Sequence, residues 1–378
     1  MLIHLCYILL ALRRWLVNAA EMVVGVDADK YPCSDCSRFS SLLEGLQSGF
    51  LSNENITITL MDLETHLKSD VFVKYLGGTS NRSFYYSSQS GANFKRIYLR
   101  GNTKNGFNLS KIIFYDEYFS LNFANIELHL ENVHFSFSKQ NDSYFGCLFC
   151  LNENEEGNSL SILIMDNVAF ECLKGTFIYL APKDFSLIDA KGFNFEIKLD
   201  KIKMNVENIV YFQYFLKISG DITKPGTSLR RNVLVRNFSF SGKQSLSMIR
   251  NYLENLNVSF ESCYISNALA LSTEVISVNL VFTNSSFEIS RSSFAPILIE
   301  EMDNFQFLKI ERSHINLKNI DFQGLSNISY RNFVFMSSDQ SNVTLINLII
   351  KDIKITKVEK YKLGKLFKPK SNKLFLKN

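Results

Sequence analysis

The sequence predicts an all-β fold, a right-handed parallel β-helix (solenoid) with an N-terminal amphipathic capping helix. Three observations carry that expectation. An eight-residue pattern, apolar-x-apolar-x-Asn-x-x-apolar, returns from about residue 121 almost to the end of the chain. Among 378 residues there are 33 Phe and 36 Asn against a single Trp, a balance that suits many short strands separated by tight bends. Between the copies no ten-residue stretch has helical periodicity, which argues against a doubly wound α/β sheet.

The pattern reads LNFANIEL at 121–128, LHLENVHF at 128–135, LIMDNVAF at 163–170 and MNVENIVY at 204–211. It continues as VLVRNFSF (233–240), LVFTNSSF (280–287), INLKNIDF (315–322), ISYRNFVF (328–335) and VTLINLII (343–350). Degenerate copies at 188–195, 258–265 and 308–315 put Gly192, Ser262 and Arg312 in the place of Asn. Apolar residues at alternate positions describe a strand with one buried face. Asn then tolerates the left-handed backbone region that a sharp bend needs, and Gly does so more readily. Each copy is therefore strand, bend, strand. The commonest spacings, about 22 to 29 residues, correspond to one supersecondary unit that cannot bury its own face and must stack on neighbours. Over residues 56–355 this gives about 10 to 13 repeats, a rod about 50–60 Å long at the spacing of hydrogen-bonded strands. Asn at equivalent bends is expected to form side-chain ladders, and buried Phe to form aromatic stacks. A two-sheet antiparallel sandwich is the competing architecture, but a single sandwich of this length would be unusual.

Ahead of the repeats, Phe39, Leu42, Leu43, Leu46 and Phe50 share one face of a helix. ITITL at 56–60 then reads as the first strand of the rod, with Ile56, Ile58 and Leu60 on one side. On the repeats and this helix–strand order, residues 38–355 resemble the pectin-lyase-like parallel β-helix superfamily, in which an amphipathic helix often closes the amino-terminal end. The combination of a Cys pair, a helix and Phe/Asn-rich repeats is also similar to very large secreted or membrane-tethered protist surface proteins. The resemblance lies in architecture; no active-site motif supports it.

At the amino terminus, Leu2–Leu12 is an eleven-residue apolar run, short for a membrane span but of the length found in a secretory leader. Two small-residue cleavage patterns follow, Val17-Asn18-Ala19 and Val26-Asp27-Ala28, while Arg13 and Arg14 sit on the unusual side of the run. An uncleaved anchor with 15–26 at the membrane interface and a misassigned start codon are the alternatives. Nine Asn-x-Ser/Thr sequons, at Asn55, Asn81, Asn108, Asn141, Asn237, Asn257, Asn284, Asn327 and Asn342, are compatible with export as a glycoprotein. So are the six cysteines that remain without Cys6. The expected organisation is a signal peptide or membrane anchor over 1–28, the helix-capped rod over 29–355 and a basic flexible tail over 356–378. Residues 354–378 carry nine Lys against Glu359, a net of +8, so residues 1–353 sum to −4 out of the overall +4. The basic pI therefore gives no reason to expect a nucleic-acid partner.

No constellation of chemistry emerges. Sugar-cleaving members of the resembled superfamily use clustered carboxylates, and glycoside hydrolysis needs two of them a few ångströms apart. This chain has no Asp-Asp pair, no Asn-Thr-Asp and no Gly-His-Gly; Asp142 and Asp166 read as turn residues. His129, His134 and His314 fall on solvent positions of strand copies, and none stands at ligand spacing from a cysteine. Cys33, Cys36, Cys147 and Cys150 form two Cys-x-x-Cys pairs over a hundred residues apart, too far for an ordinary structural zinc site, and are disulfide candidates. Cys172 and Cys263 read as buried single thiols. Neither catalytic residues nor a cofactor or metal site is assigned. The expected role is that of a secreted, cell-surface or membrane-associated rod that is structural, adhesive or binds glycans or surface proteins, with membrane contact through the N-terminal segment. The alternatives are a divergent polysaccharide lyase or glycoside hydrolase on the same fold, and a piece of a larger tethered receptor.

Overall fold

The computed structural model describes residues 20–25, 29, 35–52, 54–67, 84–87, 94–102, 109–114, 121–137, 147–152, 160–172, 186–191, 194–206, 214–218, 231–242, 246–251, 256–266, 268–269, 278–284, 286–288, 310–311, 314–323, 336–339, 342–350, 367–369 and 374–377. The described part is mostly β, every strand pairing is parallel, and the arrangement is compatible with a parallel β-solenoid.

Strands recur in a fixed cycle of three stacks. Stack I runs Ala20–Val24, Ile56–Leu60, Lys95–Arg100, Ile126–Glu131, Leu160–Asp166, Asn194–Asp200, Arg231–Arg236, Leu256–Glu261 and Val278–Thr283. It continues through the first parts of His314–Gln323 and Asn342–Ile350 to Leu374–Lys377. Stack II starts with Glu64–Leu67, Ser110–Phe114, Val133–Phe137 and Ala169–Cys172, and stack III with Phe84–Ser87, Leu121–Ala124, Cys147–Leu151 and Ser186–Ala190. A further parallel trio comprises Ile310–Glu311, Met336–Asp339 and Phe367–Pro369. Two described regions touch the expected boundaries. Ala20–Val24 lies within 1–28, and Phe367–Pro369 and Leu374–Lys377 lie within 356–378, where they pair with the preceding strands.

Partners in stack I are 22 residues apart at the closest (Phe260 to Phe282) and 41 at the widest (Ile58 to Leu99). Repeats longer than the sequence spacing implies leave ten stack I strands within 56–355, at the low end of expectation. Alternation does what the pattern requires. In Leu160–Asp166 the buried and half-buried positions alternate strictly, and in stack I Ile58, Leu99, Leu130, Met165, Leu199, Val235 and Phe260 form one buried column. Phe135 stacks on Phe170 of the next repeat at 5.3 Å and meets Phe149 edge-on at 5.6 Å. Those are the expected aromatic stacks.

The bend between stacks I and II is a left-handed residue in six successive repeats: Asn132, Asn167, Lys201, Asn237, Ser262 and Asn284, with φ between 48° and 57°. Asn125 makes the same kind of bend from stack III into stack I. The N–H of Asn132, Asn167, Lys201, Asn237 and Ser262 each donates to a carbonyl of the following repeat, for example Asn132 to Asp166 (3.1 Å) and Asn237 to Glu261 (3.0 Å), so the ladder turns these five corners unbroken. The Asn side-chain ladder is shorter than expected. Asn167 Nδ2 donates to Asn132 Oδ1 at 2.7 Å, but Lys201 interrupts the run and Asn237 turns instead to Asp200 Oδ1 at 2.8 Å. The copy at 204–211 runs beyond the described residues after Val206; the bend of that repeat is at 197–204, where Lys holds the fifth place. The copies at 188–195 and 308–315 have their bends, Gly192 and Arg312, outside the described residues, as is all of 328–335.

Helix α1, Leu42–Leu51, precedes the second strand of stack I, and Ser41 caps it by accepting the Glu44 N–H at 3.3 Å. Leu42, Leu46 and Phe50 are buried as expected, whereas Phe39 belongs to the short strand Ser37–Phe39. The helix lies close to the sheet because Gly45 and Gly49 face it: an added Cβ would stand 2.5 Å from Val24 Cγ2 or 3.1 Å from Ile58 Cδ1. At its other end the buried Lys95 Nζ donates to the carbonyls of Gly49, Phe50 and Ser52 at 3.1, 2.6 and 2.6 Å. A cation on the last carbonyls of a helix is the favourable end for it.

Candidate functional site

Parallel in-register pairing turns alternate residues of stack I into three columns on its solvent side. One column runs Arg96, Glu127, Ile162, Glu196, Asn232, Asn257. The middle one runs Thr57, Tyr98, His129, Ile164, Lys198, Leu234, Ser259. The third runs Thr59, Arg100, Glu131, Asp166, Asp200, Arg236, Glu261. Neighbours in a column are one strand spacing apart, about 4.8 Å. The richest chemistry on the described surface is therefore a strip with a partly apolar floor between two polar walls.

At its upper end six side chains interlock. Glu127, buried within the wall, accepts from Arg96 Nε at 2.9 Å and from His129 Nε2 at 2.5 Å. Burial works to raise its carboxyl, but the hydrogen bonds from His129 and Arg96 together outweigh that and hold it below the usual carboxylate range. The same contact raises the Arg96 guanidinium further. The His129 ring lies 4.3 Å from that of Tyr98, and the Arg100 guanidinium sits over Tyr98 at 5.3 Å while pairing with Glu131 at 3.1 Å.

Below it, Glu131, Asp166 and Asp200 place three carboxylates on three consecutive repeats. Each meets a cation or an amide. Lys201 Nζ reaches Asp166 at 3.0 Å and Asp200 at 3.8 Å, and Arg236 pairs with Glu261 at 2.8 Å. The left-handed bend puts Lys201 there, and the hydrogen bond to Asp166 raises its ammonium. These pairs are exposed, and exposed pairs are screened by water and contribute little stability. Farther down, the wall becomes amide, with Asn257 Nδ2 donating to Asn232 Oδ1 at 3.1 Å.

A second polar group lies on stack II. His134 Nε2 meets Glu171 Oε2 at 3.3 Å, with Lys111 Nζ 4.0 Å from the same oxygen, and burial leads in lowering the imidazole. Ser136, two residues on, is fully buried, and its hydroxyl makes no hydrogen bond.

Of the sequence candidates, Cys147 and Cys150 lie at disulfide distance, Cα to Cα 5.8 Å, both buried at the start of a stack III strand. An extended strand would separate them by about 10 Å, so the chain is folded here. Cys36 is disulfide-bonded; Cys33 lies outside the described residues. Cys263 is a buried free thiol, and the Cys172 side chain is outside the description. Among the sequons, Asn55 accepts the Arg96 N–H through Oδ1 at 2.8 Å, Asn237 and Asn284 are exposed bend residues, Asn257 is exposed on a wall of the strip, and Asn342 opens a strand. Asn81, Asn108, Asn141 and Asn327 lie outside the described residues. His129 and His134 are only half-exposed because both are engaged by glutamates. The strip itself escapes a reading of the sequence, since its columns emerge only once repeats of unequal length are brought into register.

No family model, no curated protein and no solved structure matches the chain.

Proposed function

We propose that the chain is a right-handed, pectin-lyase-like parallel β-helix, closed at its amino-terminal end by α1, that acts as an exported recognition rod for an extended polymer, with glycan as the leading class. The observation that supports this most is the lateral strip of stack I. A polymer laid along the stack meets a hydrogen-bonding side chain at every repeat, about 4.8 Å apart. Tyr98 and His129 supply a ring floor between Arg96–Glu127 and Arg100–Glu131, and Ile164 and Leu234 continue it on later repeats on either side of Lys198. Such a surface collects many weak contacts and needs no deep pocket. Carboxylates already paired with Arg, Lys or His are poorly placed to shuttle protons, and the depressed Glu127 is the wrong kind of group for a general acid at neutral pH.

Co-sedimentation of the chain with insoluble neutral and anionic polysaccharides tests the reading. Retention that Tyr98→Ala together with His129→Ala reduces at least tenfold supports it; retention unaffected by both changes, or none on any polymer, refutes it. The run Glu131, Asp166, Asp200 favours a second reading, a divergent polysaccharide lyase or glycoside hydrolase, because three carboxylates stacked on adjacent repeats provide the spacing such chemistry uses. New reducing ends or unsaturated sugar ends on incubation with a uronic-acid polymer, lost in Asp166→Asn, would establish that reading in place of the first.

A further inference from the structure

We propose that the leader is removed by hydrolysis of the Ala19–Ala20 peptide bond, so that the mature chain begins with the first strand of stack I. The inference rests on the export reading above. Sequence alone offers two sites, after Ala19 and after Ala28, each with a small residue at the last position and Val two residues before it. The two differ completely in what they do to the fold.

Ala20–Val24 is an interior strand of the sheet. One edge pairs with Ser37–Phe39 and the other with Ile56–Leu60, from Ala20↔Ile56 to Val24↔Leu60. Met22, Val23 and Val24 are at most 6% exposed, and Val24 fills the space that Gly45 leaves open on α1. The strand ends where Gly25, at φ 141°, donates its N–H to Phe39 and sits against the Asp62 carboxylate, a place only glycine fits. A cut after Ala28 would delete this strand and leave the facing edges of two others unpaired beneath the helix. A cut after Ala19 leaves every described strand whole. It also leaves an exposed terminus whose nitrogen is already committed: Ala20 N donates to Asn55 O at 2.9 Å. Hydrolysis puts the water hydroxyl on the Ala19 carbonyl and its proton on Ala20 N, and the new ammonium keeps that acceptor as a charge-assisted donor. The uncleaved anchor, with 15–26 along a membrane surface, would need the same five residues that the sheet holds.

The full chain, expressed in a secreting eukaryotic cell with a C-terminal tag, is collected from the medium and from the cells, and its amino terminus is read by sequencing and intact mass after deglycosylation. Secreted chain starting at Ala20 is the expected result, with Ala28→Arg leaving that start unchanged and Ala19→Arg abolishing it. Secreted chain starting at Asp29 overturns the site while leaving export standing. Chain that keeps Met1 and stays with the cells overturns both the site and the export reading.

Discussion

Gly101→Ala is the substitution in which the structure leaves least room for compensation. Gly101 ends a stack I strand, is buried, and donates its N–H to Glu131 O at 2.8 Å. A Cβ at this position would stand 2.0 Å from the Asn132 carbonyl oxygen and 3.0 Å from its carbon. The obstacle is backbone, and that backbone is held by the left-handed Asn132 and by the Ser110 N–H, which donates to the same oxygen at 3.2 Å. Ordinary contact begins at 3.4 Å, so relief requires the two repeats to part by at least 1.4 Å, enough to break both hydrogen bonds. Two buried backbone bonds lost at about 1–2 kcal/mol each give about 2–4 kcal/mol, against which the entropic gain of Ala over Gly offsets less than about 1. Two other glycines calibrate the result. At Gly49 the added methyl meets the mobile end of Ile58 at 3.1 Å, and at Gly45 it meets Val24 Cγ2 at 2.5 Å. Urea unfolding of the three variants should rank the losses Gly49→Ala, then Gly45→Ala, then Gly101→Ala. Hydrogen exchange should show lost protection at residues 101 and 110 in the last. A Gly101→Ala midpoint no lower than that of Gly49→Ala, with protection intact, would refute the close approach and the corner geometry argued from it.

Asn167→Ala removes both a side chain tolerant of the left-handed region and the 2.7 Å bond to Asn132, at about 1–3 kcal/mol; Asn167→Gly, which restores the backbone freedom, should recover part of that loss in the same unfolding assay. Glu127 titrates lower in the folded chain than in the unfolded one, so its contribution is present above the unfolded value and disappears as pH falls through the folded one. Glu127→Gln should therefore cost about 1–3 kcal/mol at neutral pH and flatten the acid limb of a stability–pH curve, and an unchanged limb would count against the Arg96–Glu127–His129 cluster. Burial lowers the Lys95 ammonium from 10.5 to about 8, so the wild-type chain gains stability as pH rises from 8 to 10.5; Lys95→Met should lose that slope. The same variant should fray the end of α1, visible as reduced exchange protection at the last helical amides, because three carbonyls lose their donor.

The corner between stacks I and II was legible because its requirement is local. A left-handed residue flanked by alternating apolar positions leaves the same mark at Asn132, Asn167, Asn237 and Asn284. Lys201 left no such mark: Lys has no special liking for that backbone region, and it is there with carboxylates on either side that only register brings near. Stack III was legible only where a copy runs out of it, at 121–128 and 188–195, and is otherwise obscured for a different reason. Cys147–Leu151 and Ser186–Ala190 are buried at every position, polar Ser186 and Asp189 included, so no alternation survives to be read. The charged strip depends on pairing residues 22 to 41 positions apart, and nothing local specifies those intervals. Gly45 and Gly49 carried a signal that a search for apolar faces passes over, namely two small residues one turn apart where a helix must approach a sheet.

The one-residue corner also divides the chain into regions that can and cannot absorb change. Between stacks I and II the connection is one or two residues in six repeats, from Glu131 to Val133 through Thr283 to Ser286. At five of these corners the bend N–H is committed to the next repeat, and one added residue would swap the buried and solvent sides of all that follows within the strand. The passages into and out of stack III vary far more, from a single residue between Ser266 and Ala268 to sixteen between Leu67 and Phe84, whereas the corner between stacks I and II is longer only ahead of those six repeats, three residues from Leu60 to Glu64 and nine from Arg100 to Ser110. Insertions, tags or whole guest domains should therefore be accepted at the latter corners and rejected at the former. One margin of the described stack thus varies in length from repeat to repeat while, across those six repeats, the opposite margin stays smooth.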